Sequence, residues 1–187
     1  TTALLAGATP DDVVLDEPLT LVDDLGIEYT PRNYTEDFKG SITLRQALAE
    51  SINVPAVRIG LGIGIPNVIR TARKFGITSK LRPYPSIALG AFEISLLEQV
   101  SAFSTFPNDG YRMEPYFIQR IEDYHGNILE EHKKEVHEVI PGDTARDMIS
   151  MLRGSVEFGT SQKAKSLNAP CAGKTGTTND FTDSWFI

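Results

Sequence analysis

The sequence predicts an α/β domain of the α+β type, in which antiparallel strands are flanked by helices. Helix starts are marked at Thr43 and Ser95, where a hydroxyl residue is followed three positions later by Gln or Glu. A hairpin is predicted in residues 116–131, where two β-prone runs flank a turn that contains glycine. Residues 168–178 and 183–187 are two further β-prone runs, and their short connection favours antiparallel pairing.

Length and composition allow one globular domain and exclude several classes of function. The chain has 187 residues, of which 41% are hydrophobic and 23% charged, as is typical of a protein with a packed core. Its net charge of −7 argues against a nucleic-acid partner and against a polybasic membrane surface. No apolar run is long enough for a membrane-spanning helix. His132 and His137 lack the i,i+4 spacing of a shared metal site, so no metal is expected. No cofactor is predicted either.

The first third of the chain is predicted to contain the end of one helix, a long loop region and the start of another helix. Residues 1–6 predict the end of a helix, with Gly7 as the terminating residue. Residues 9–31 are rich in proline and acidic residues and contain only short apolar runs, so they predict a long excursion with minor strands. An excursion of this length indicates a functional loop. Thr43 and Gln46 then form the capping box of a helix with apolar residues at i, i+3 and i+4.

The apolar stripe of that helix ends on a hydroxyl. Ser51 occupies the i+7 position, where the periodicity predicts an apolar residue. Asn53 follows, and Pro55 suits the first turn of a new helix at residues 55–61. The segment from Ser51 to Asn53 is therefore predicted to be a tight joint, with both polar side chains able to face a cleft. Taken alone, the segment is explained more simply by a helix break in which Ser and Asn bond nearby backbone.

The remaining helices are marked by their caps and periodicity. Pro66 begins a helix that Gly76 ends. Ser95 begins another, which runs to about Ser104. Residues 144–152 predict an amphipathic helix, and residues 154–160 predict a turn region because they contain two glycines and a threonine.

A cluster of polar residues near the end of the chain has the chemistry of an anion site. Lys174 supplies a positive point charge, and the hydroxyls of Thr175 and Thr177 can donate hydrogen bonds to the same anion. Gly176 lets a ligand lie close to the backbone. The cluster therefore predicts a binding site for a carboxylate. Taken alone, the Lys-Thr-Gly motif is explained more simply by a polar turn before an edge strand.

A phosphate-binding loop is excluded by spacing and by context. Such a loop needs a glycine five positions before Gly173, where this chain has Asn168. It also needs a helix directly after Thr175, whereas the residues that follow are turn-rich and β-prone.

Ser51-Ile52-Asn53 and Lys174-Thr175-Gly176 together match two of the three motifs of the penicillin-binding serine acyltransferase superfamily. The surrounding sequence resembles the transpeptidase domain of class A (bifunctional) penicillin-binding proteins in three segments. They are Ala47-Leu48-Ala49-Glu50-Ser51-Ile52-Asn53-Val54-Pro55-Ala56-Val57-Arg58, Ala88-Leu89-Gly90-Ala91-Phe92-Glu93-Ile94-Ser95, and Gly173 to Asp180 continuing through Asp183-Ser184-Trp185-Phe186-Ile187. The resemblance identifies residues 1–187 as part of such a domain.

The resemblance implies a β-lactamase/transpeptidase-like fold, with a five-stranded antiparallel sheet flanked by helices, incomplete in this chain. The family nucleophile is the Ser of a Ser-x-x-Lys motif, and no Ser here has Lys three residues later. Residues 1–7 resemble the stretch just beyond that motif, so we expect the nucleophile upstream of Thr1 and the final strands after Ile187. A glycosyltransferase domain and a membrane anchor are also expected outside this chain. The parent protein would then act at the extracytoplasmic face of the bacterial cytoplasmic membrane, on the periplasmic or cell-wall side.

The implied activity is that of a D,D-transpeptidase. It would cross-link peptidoglycan stem peptides that end in D-Ala-D-Ala, and β-lactam antibiotics would acylate it; without the nucleophile, the chain alone is expected to be inactive. Ser51 is expected to relay a proton to the leaving amine. Asn53 is expected to bind the substrate amide and to orient the missing lysine.

The Lys-Thr-Gly segment is expected to bind the donor peptide. Lys174 would supply positive potential for its terminal carboxylate, and the hydroxyls of Thr175 and Thr177 would hydrogen-bond that group. Gly176 would permit close approach of the strand. The backbone N–H near Thr177 would form one half of an oxyanion hole.

Three alternatives remain open at this point. A D,D-carboxypeptidase or a β-lactamase-like hydrolase would use water in place of the acceptor amine. A non-catalytic module would only hold peptidoglycan peptides. In a plain structural domain, Ser51 and Lys174 would lie more than about 8 Å apart, too far for one substrate to touch both.

Overall fold

The computed structural model describes residues 1–23, 25–178 and 182–187. In these ranges the α-helices are α1 Thr2–Leu5, α2 Leu44–Ala49, α3 Asn53–Ile63, α4 Ile65–Lys74, α5 Leu96–Ser104 and α6 Gly142–Glu157. The strands are β1 Val13–Asp16, β2 Leu21–Val22, β3 Glu28–Tyr29, β4 Gly40–Thr43, β5 Tyr111–Met113, β6 Arg120–Glu122, β7 Ile128–Glu131, β8 Val136–Glu138, β9 Thr175–Thr177 and β10 Ser184–Phe186. Pro85–Leu89 and Gln162–Leu167 are 3₁₀ segments.

The strands of the described ranges form two-stranded antiparallel sheets, which confirms the predicted α+β class. The pairs are β1–β4, β2–β3, β5–β8, β6–β7 and β9–β10. The predicted hairpin is the pair β6–β7, and the predicted pairing at the end of the chain is β9–β10, with Trp185 opposite Gly176. The strand expected over residues 168–178 is shorter than predicted, since ladder pairing begins only at Thr175. The last two residues of the segment from Gly173 to Asp180 lie outside the described residues.

The two predicted capping boxes differ in completeness. At α5, the side chains of Ser95 and Glu98 each bond the other's backbone N–H, so that box is complete. At α2, Thr43 Oγ1 accepts from Gln46 N at 3.1 Å, but the Gln46 amide donates to Glu50 instead of returning to Thr43. The second box is therefore half-formed, because the glutamine finds a carboxylate one turn further along the helix.

Helix α6 lies at the centre of the main apolar core and packs against α2. Its inward face is formed by Ala145, Met148, Met151 and Leu152. The helix extends five residues beyond its predicted end and runs through Gly154, so the expectation of a turn there was wrong. A Cβ on Gly154 would lie 2.9 Å from the Phe158 ring and 3.5 Å from Ala49. Gly154 thus allows α6 to pack closely against the end of α2. Ser51 lies just after that end of α2.

Candidate functional site

Ser51 lies in a strained turn that ends α2. The N–H of Ser51 donates to Leu48 O at 3.2 Å, and the N–H of Ile52 donates to Ala47 O at 2.9 Å. These two bonds form a Schellman motif, whose left-handed residue is usually glycine. Ser51 takes that conformation with a φ of +58°. A side chain there costs about 1–2 kcal/mol, and such strain is most often retained where the side chain has a function.

Asn53 begins α3 and has a fixed amide orientation. Its Nδ2 donates to Arg32 O at 2.8 Å. Because a carbonyl oxygen can only accept, this bond identifies the amide nitrogen and turns Oδ1 away from Arg32. Oδ1 is therefore the atom of Asn53 that can accept a hydrogen bond from a ligand or from a lysine.

Lys174 is held at the start of β9 and reaches Ser51. The backbone of Lys174 exchanges hydrogen bonds with Ile187 at 2.8 and 3.1 Å. Its Nζ donates to Ser51 Oγ at 2.6 Å and to Thr175 O at 3.0 Å. Residues 123 positions apart in the chain therefore share one hydrogen bond. This distance excludes the plain structural domain in which the two side chains never meet.

The Lys174–Ser51 contact has a defined polarity. Burial lowers the pKa of Lys174 from its ordinary value of 10.5. The ammonium group has three donors and no acceptor, so Ser51 Oγ accepts in this bond and the serine proton is directed elsewhere. The pair can thus pass a proton to a third group, and a lysine with a lowered pKa gives up its own proton more readily.

The pairing pattern of β9 aims two backbone N–H groups away from β10. Lys174 and Ile187 exchange both of their hydrogen bonds, and the N–H of Thr178 donates to Asp183 O at 3.0 Å. Because hydrogen-bonded pairs alternate in an antiparallel ladder, the backbone polar groups of Thr175 and Thr177 point to the opposite side. Thr175 O accepts a hydrogen bond from Lys174 Nζ, which agrees with its pointing away from β10. Thr177 N–H therefore faces the side on which Ser51 lies.

The rest of the Lys-Thr-Gly segment is open to solvent. Gly176 and Thr177 are exposed, and a Cβ added to Gly176 would meet no atom within 4 Å. Gly173 is different, since a Cβ there would lie 2.5 Å from Ile187 O. The glycine that packing requires is thus Gly173, whereas Gly176 leaves an open surface over the strand.

Thr160 connects the two halves of the site, although no sequence pattern predicted this role. Its backbone N–H donates to Ala49 O at 3.0 Å, and its hydroxyl is 2.8 Å from that of Thr175. Either hydroxyl can donate in the latter bond. If Thr160 donates, the proton of Thr175 remains available for an anion. The pair Gly159-Thr160 indicated only a turn, because its two partners are distant in the chain.

Asp16 and Asn33 also support the site without having been predicted. Both are buried, and Asn33 Oδ1 accepts from the backbone N–H of Asn53. Asp16 is one of several acidic residues in the segment 9–31, and Asn33 follows that segment, so no periodic pattern could have distinguished them.

A cleft of about 260 Å³ lies on the outer side of α6. It is lined by Arg45, Arg146 and Arg153. Each guanidinium is already paired, Arg45 with Ser150 and with a carboxylate, the other two with carboxylates. These pairings leave the cleft without an uncommitted cation, so Lys174 remains the better candidate for binding an anion.

Residues 1–23, 25–178 and 182–187 contain neither a cluster of metal ligands nor a membrane-spanning helix. Within those ranges, no three His, Cys, Asp or Glu residues are grouped as ligands of a metal ion. The helices described there are all too short or too polar to cross a bilayer.

The chain matches a known family over its full length. The family model described as the penicillin binding protein transpeptidase domain matches residues 1–187. Penicillin-binding protein 1A of Aquifex aeolicus (strain VF5) is 42% identical over 162 residues, which cover 87% of this chain and 22% of that protein. Penicillin-binding protein 1B of Vibrio cholerae (strain ATCC 39315 / El Tor Inaba N16961) is 36% identical over 192 residues, covering 98% of this chain and 25% of the relative.

Solved structures show the same fold. The crystal structure of penicillin-binding protein 1A from Haemophilus influenzae superposes with a TM-score of 0.90 at 25% identity, over 99% of this chain and 34% of that one. The imipenem acyl-enzyme complex of penicillin-binding protein A from M. tuberculosis gives a TM-score of 0.80 at 20% identity, over 100% of this chain and 48% of that one. The present chain thus spans about a quarter of the length of the two curated relatives.

Proposed function

The chain belongs to the penicillin-binding protein transpeptidase family, and from this premise we propose that it is part of a peptidoglycan D,D-transpeptidase. This enzyme cross-links stem peptides by serine acyl transfer and is acylated by penicillin. The observation that carries the proposal is the 2.6 Å hydrogen bond between Lys174 Nζ and Ser51 Oγ. It joins the two family motifs in one half-buried site, beside an open strand edge.

The first stage forms an acyl-enzyme. A serine Oγ gives its proton to the lysine of its own motif and attacks the carbonyl carbon of the penultimate D-Ala. The bond from that carbon to the terminal D-Ala nitrogen breaks, and the nitrogen leaves as an amine after taking a proton. Ser51 delivers that proton, since its hydroxyl hydrogen is directed away from Lys174. Lys174 helps to replace it through the Nζ–Oγ contact.

The second stage transfers the acyl group. An amine of another stem peptide attacks the ester carbonyl, the ester C–O bond breaks, and the serine oxygen recovers its proton from the lysine of its own motif. The same Ser51–Lys174 pair accepts the proton that the attacking amine loses. Both stages pass through an oxyanion, for which the outward-facing N–H of Thr177 is a donor; one such donor contributes about 3 kcal/mol in comparable sites.

The substrate is held by groups around this pair. Lys174 and the hydroxyls of Thr175 and Thr177 bind the terminal carboxylate of the donor peptide, and the open surface over Gly176 admits its backbone. Asn53 Oδ1 accepts from a substrate amide or orients the lysine of the nucleophile motif. No cofactor takes part in these steps. The reaction takes place at the extracytoplasmic face of the cytoplasmic membrane, where peptidoglycan is assembled.

The nucleophile is a serine outside residues 1–187, because no Ser in this chain has Lys three positions later. The proposal is tested by labelling with a fluorescent penicillin. Residues 1–187 alone should not be labelled, whereas a longer protein that carries a Ser-x-x-Lys segment before Thr1 should be. In the complete protein, Lys174→Ala should slow acylation by about 100-fold or more, and Lys163→Ala, at an exposed lysine, should leave the rate unchanged.

Two outcomes would reject the assignment. Covalent labelling of Ser51 would show that this serine is the nucleophile and not a proton relay. Equal acylation of the Lys174→Ala variant and the wild type would remove Lys174 from the site. Incubation with a stem peptide, with and without an acceptor amine, separates a transpeptidase from a hydrolase, since only the former forms the cross-linked product.

A further inference from the structure

A buried polar pair lies beneath the start of α3. Asp16, the last residue of β1, is fully buried, and Asn33 is 7% exposed. Asn33 Nδ2 donates to Asp16 Oδ1 at 2.8 Å and to Asp37 O at 2.9 Å. The other oxygen of Asp16 accepts from Lys39 N at 2.9 Å. A buried carboxylate is tolerated only when it is hydrogen-bonded in this way, so Asp16 fixes the position of Asn33.

Asn33 caps a helix from a distant part of the chain. Its Oδ1 accepts from the backbone N–H of Asn53 and of Val54, each at 3.1 Å. The first N–H groups of a helix lack partners within the helix, and the N-cap residue here, Ile52, supplies no side-chain acceptor. The start of α3 is therefore held by a residue about 20 positions earlier.

The neighbouring residue holds the side chain of Asn53. Arg32 O accepts from Asn53 Nδ2 at 2.8 Å, so residues 32 and 33 fix both the backbone and the amide of Asn53. Ser51 lies two residues before Asn53, between the end of α2 and this anchored start of α3. A shift of Asn33 would therefore move Ser51 relative to Lys174.

We propose that Asp16 and Asn33 are positioning residues for acyl transfer. Their hydrogen bonds hold the backbone at Asn53 and Val54, beside the Arg32 carbonyl that orients the Asn53 amide, and keep the turn at Ser51 within hydrogen-bond distance of Lys174. Neither residue touches the substrate. The inference rests on the proposed function, because it specifies what supports that site.

The test measures acylation of the complete protein by a fluorescent penicillin. Asn33→Asp keeps the acceptor for the α3 N–H groups but places two carboxylates against each other. Asp16→Asn is a milder second variant, because one amide cannot accept from both Lys39 N and Asn33 Nδ2. The double variant Asp16→Asn with Asn33→Asp restores one donor and one acceptor across the pair, at the loss of the bond to Asp37 O. Ile140→Ala, in the main core, is the control for lost stability alone.

Asn33→Asp should lower the second-order acylation rate constant by about 10- to 100-fold, since a misplacement of about 1 Å can cost 100-fold. The double variant should recover most of that loss. Ile140→Ala should acylate at the wild-type rate below its own unfolding temperature. The inference is overturned if Asn33→Asp and Asp16→Asn acylate like the wild type, or if rates follow the melting temperature in all variants, including Ile140→Ala. If the wild type is not acylated at all, the proposed function fails and this inference fails with it.

Discussion

Replacing Ser51 with glycine and with alanine separates the strain of its turn from the chemistry of its hydroxyl. Ser51 has a φ of +58° at the left-handed position of a Schellman motif. Both substitutions remove the hydrogen bond from Lys174, so that loss cancels when the two variants are compared. What remains is the cost of a Cβ in this conformation.

The expected difference follows from two opposing terms. A Cβ in the left-handed region costs about 1–2 kcal/mol, while glycine costs about 0.5–1 kcal/mol in backbone entropy relative to alanine. The midpoints of these two ranges make Ser51→Gly more stable than Ser51→Ala by about 0.75 kcal/mol. For a domain of this size, that difference corresponds to a melting temperature about 1.5–3 °C higher.

Ser150 provides a matched control of opposite sign. It lies in α6 and accepts a hydrogen bond from Arg45 at 2.7 Å, so it too is a serine bonded to a cationic side chain. In this helix interior, Ser150→Ala should be more stable than Ser150→Gly by about 1 kcal/mol. Thermal unfolding of the four variants in the complete protein gives both differences.

Acylation by a fluorescent penicillin provides the second measurement. Both Ser51 variants should lose about 100- to 10,000-fold in rate, the usual range for a positioned proton-transfer group, and both Ser150 variants should retain the wild-type rate. The reasoning is refuted if Ser51→Ala is at least as stable as Ser51→Gly. The role of the hydroxyl is refuted if either Ser51 variant acylates at the wild-type rate.

Two further predictions concern the Lys-Thr-Gly segment. Because burial lowers the pKa of Lys174 below 10.5, the unfolded protein binds more protons than the folded one just below that pH. The free energy of unfolding should therefore rise with pH just below 10.5. When it is measured by urea unfolding, the Lys174→Met variant should lack this rise. The prediction is contradicted if the free energy of unfolding depends on pH in the same way in both proteins. Gly173→Ala should destabilise the protein by about 1–3 kcal/mol because its Cβ would overlap Ile187 O. Gly176→Ala should change stability by less than about 0.5 kcal/mol. It should still slow acylation, since its Cβ enters the space proposed for the substrate. Equal melting temperatures of the Gly173→Ala and Gly176→Ala variants would show that the two glycines do not differ in packing.

Predictions from local sequence succeeded where the partners lie within one turn of helix or one short connection. Ser95 and Glu98 are three residues apart, and their capping box is complete. β9 and β10 are joined by a short segment and pair as expected. The box at Thr43 is only half-formed because Gln46 has a competing carboxylate within reach on the same helix, in Glu50. A local pattern lists the possible partners but does not rank them.

The supporting residues of the site could not be predicted in this way. Thr160, Asp16 and Asn33 act through hydrogen bonds to residues far along the chain. Such bonds follow from how elements pack and leave no periodic trace in the sequence. The run of α6 through Gly154 was missed for the same reason, since the glycine is explained by the nearby Phe158 ring and Ala49 and not by a turn.

The sequence by itself determined the chemistry available to this protein. It showed a hydroxyl at Ser51, where the periodicity of the helix predicts an apolar residue, and an asparagine two positions later at Asn53. It also showed Lys174 among threonines and glycines at the start of a strand. Only the tertiary structure decided that Lys174 donates to Ser51 and that Asn33 caps α3. The physical reason is that the pKa of a lysine and the partners of a helix end depend on burial and on groups brought from other parts of the chain, which local spacing does not encode.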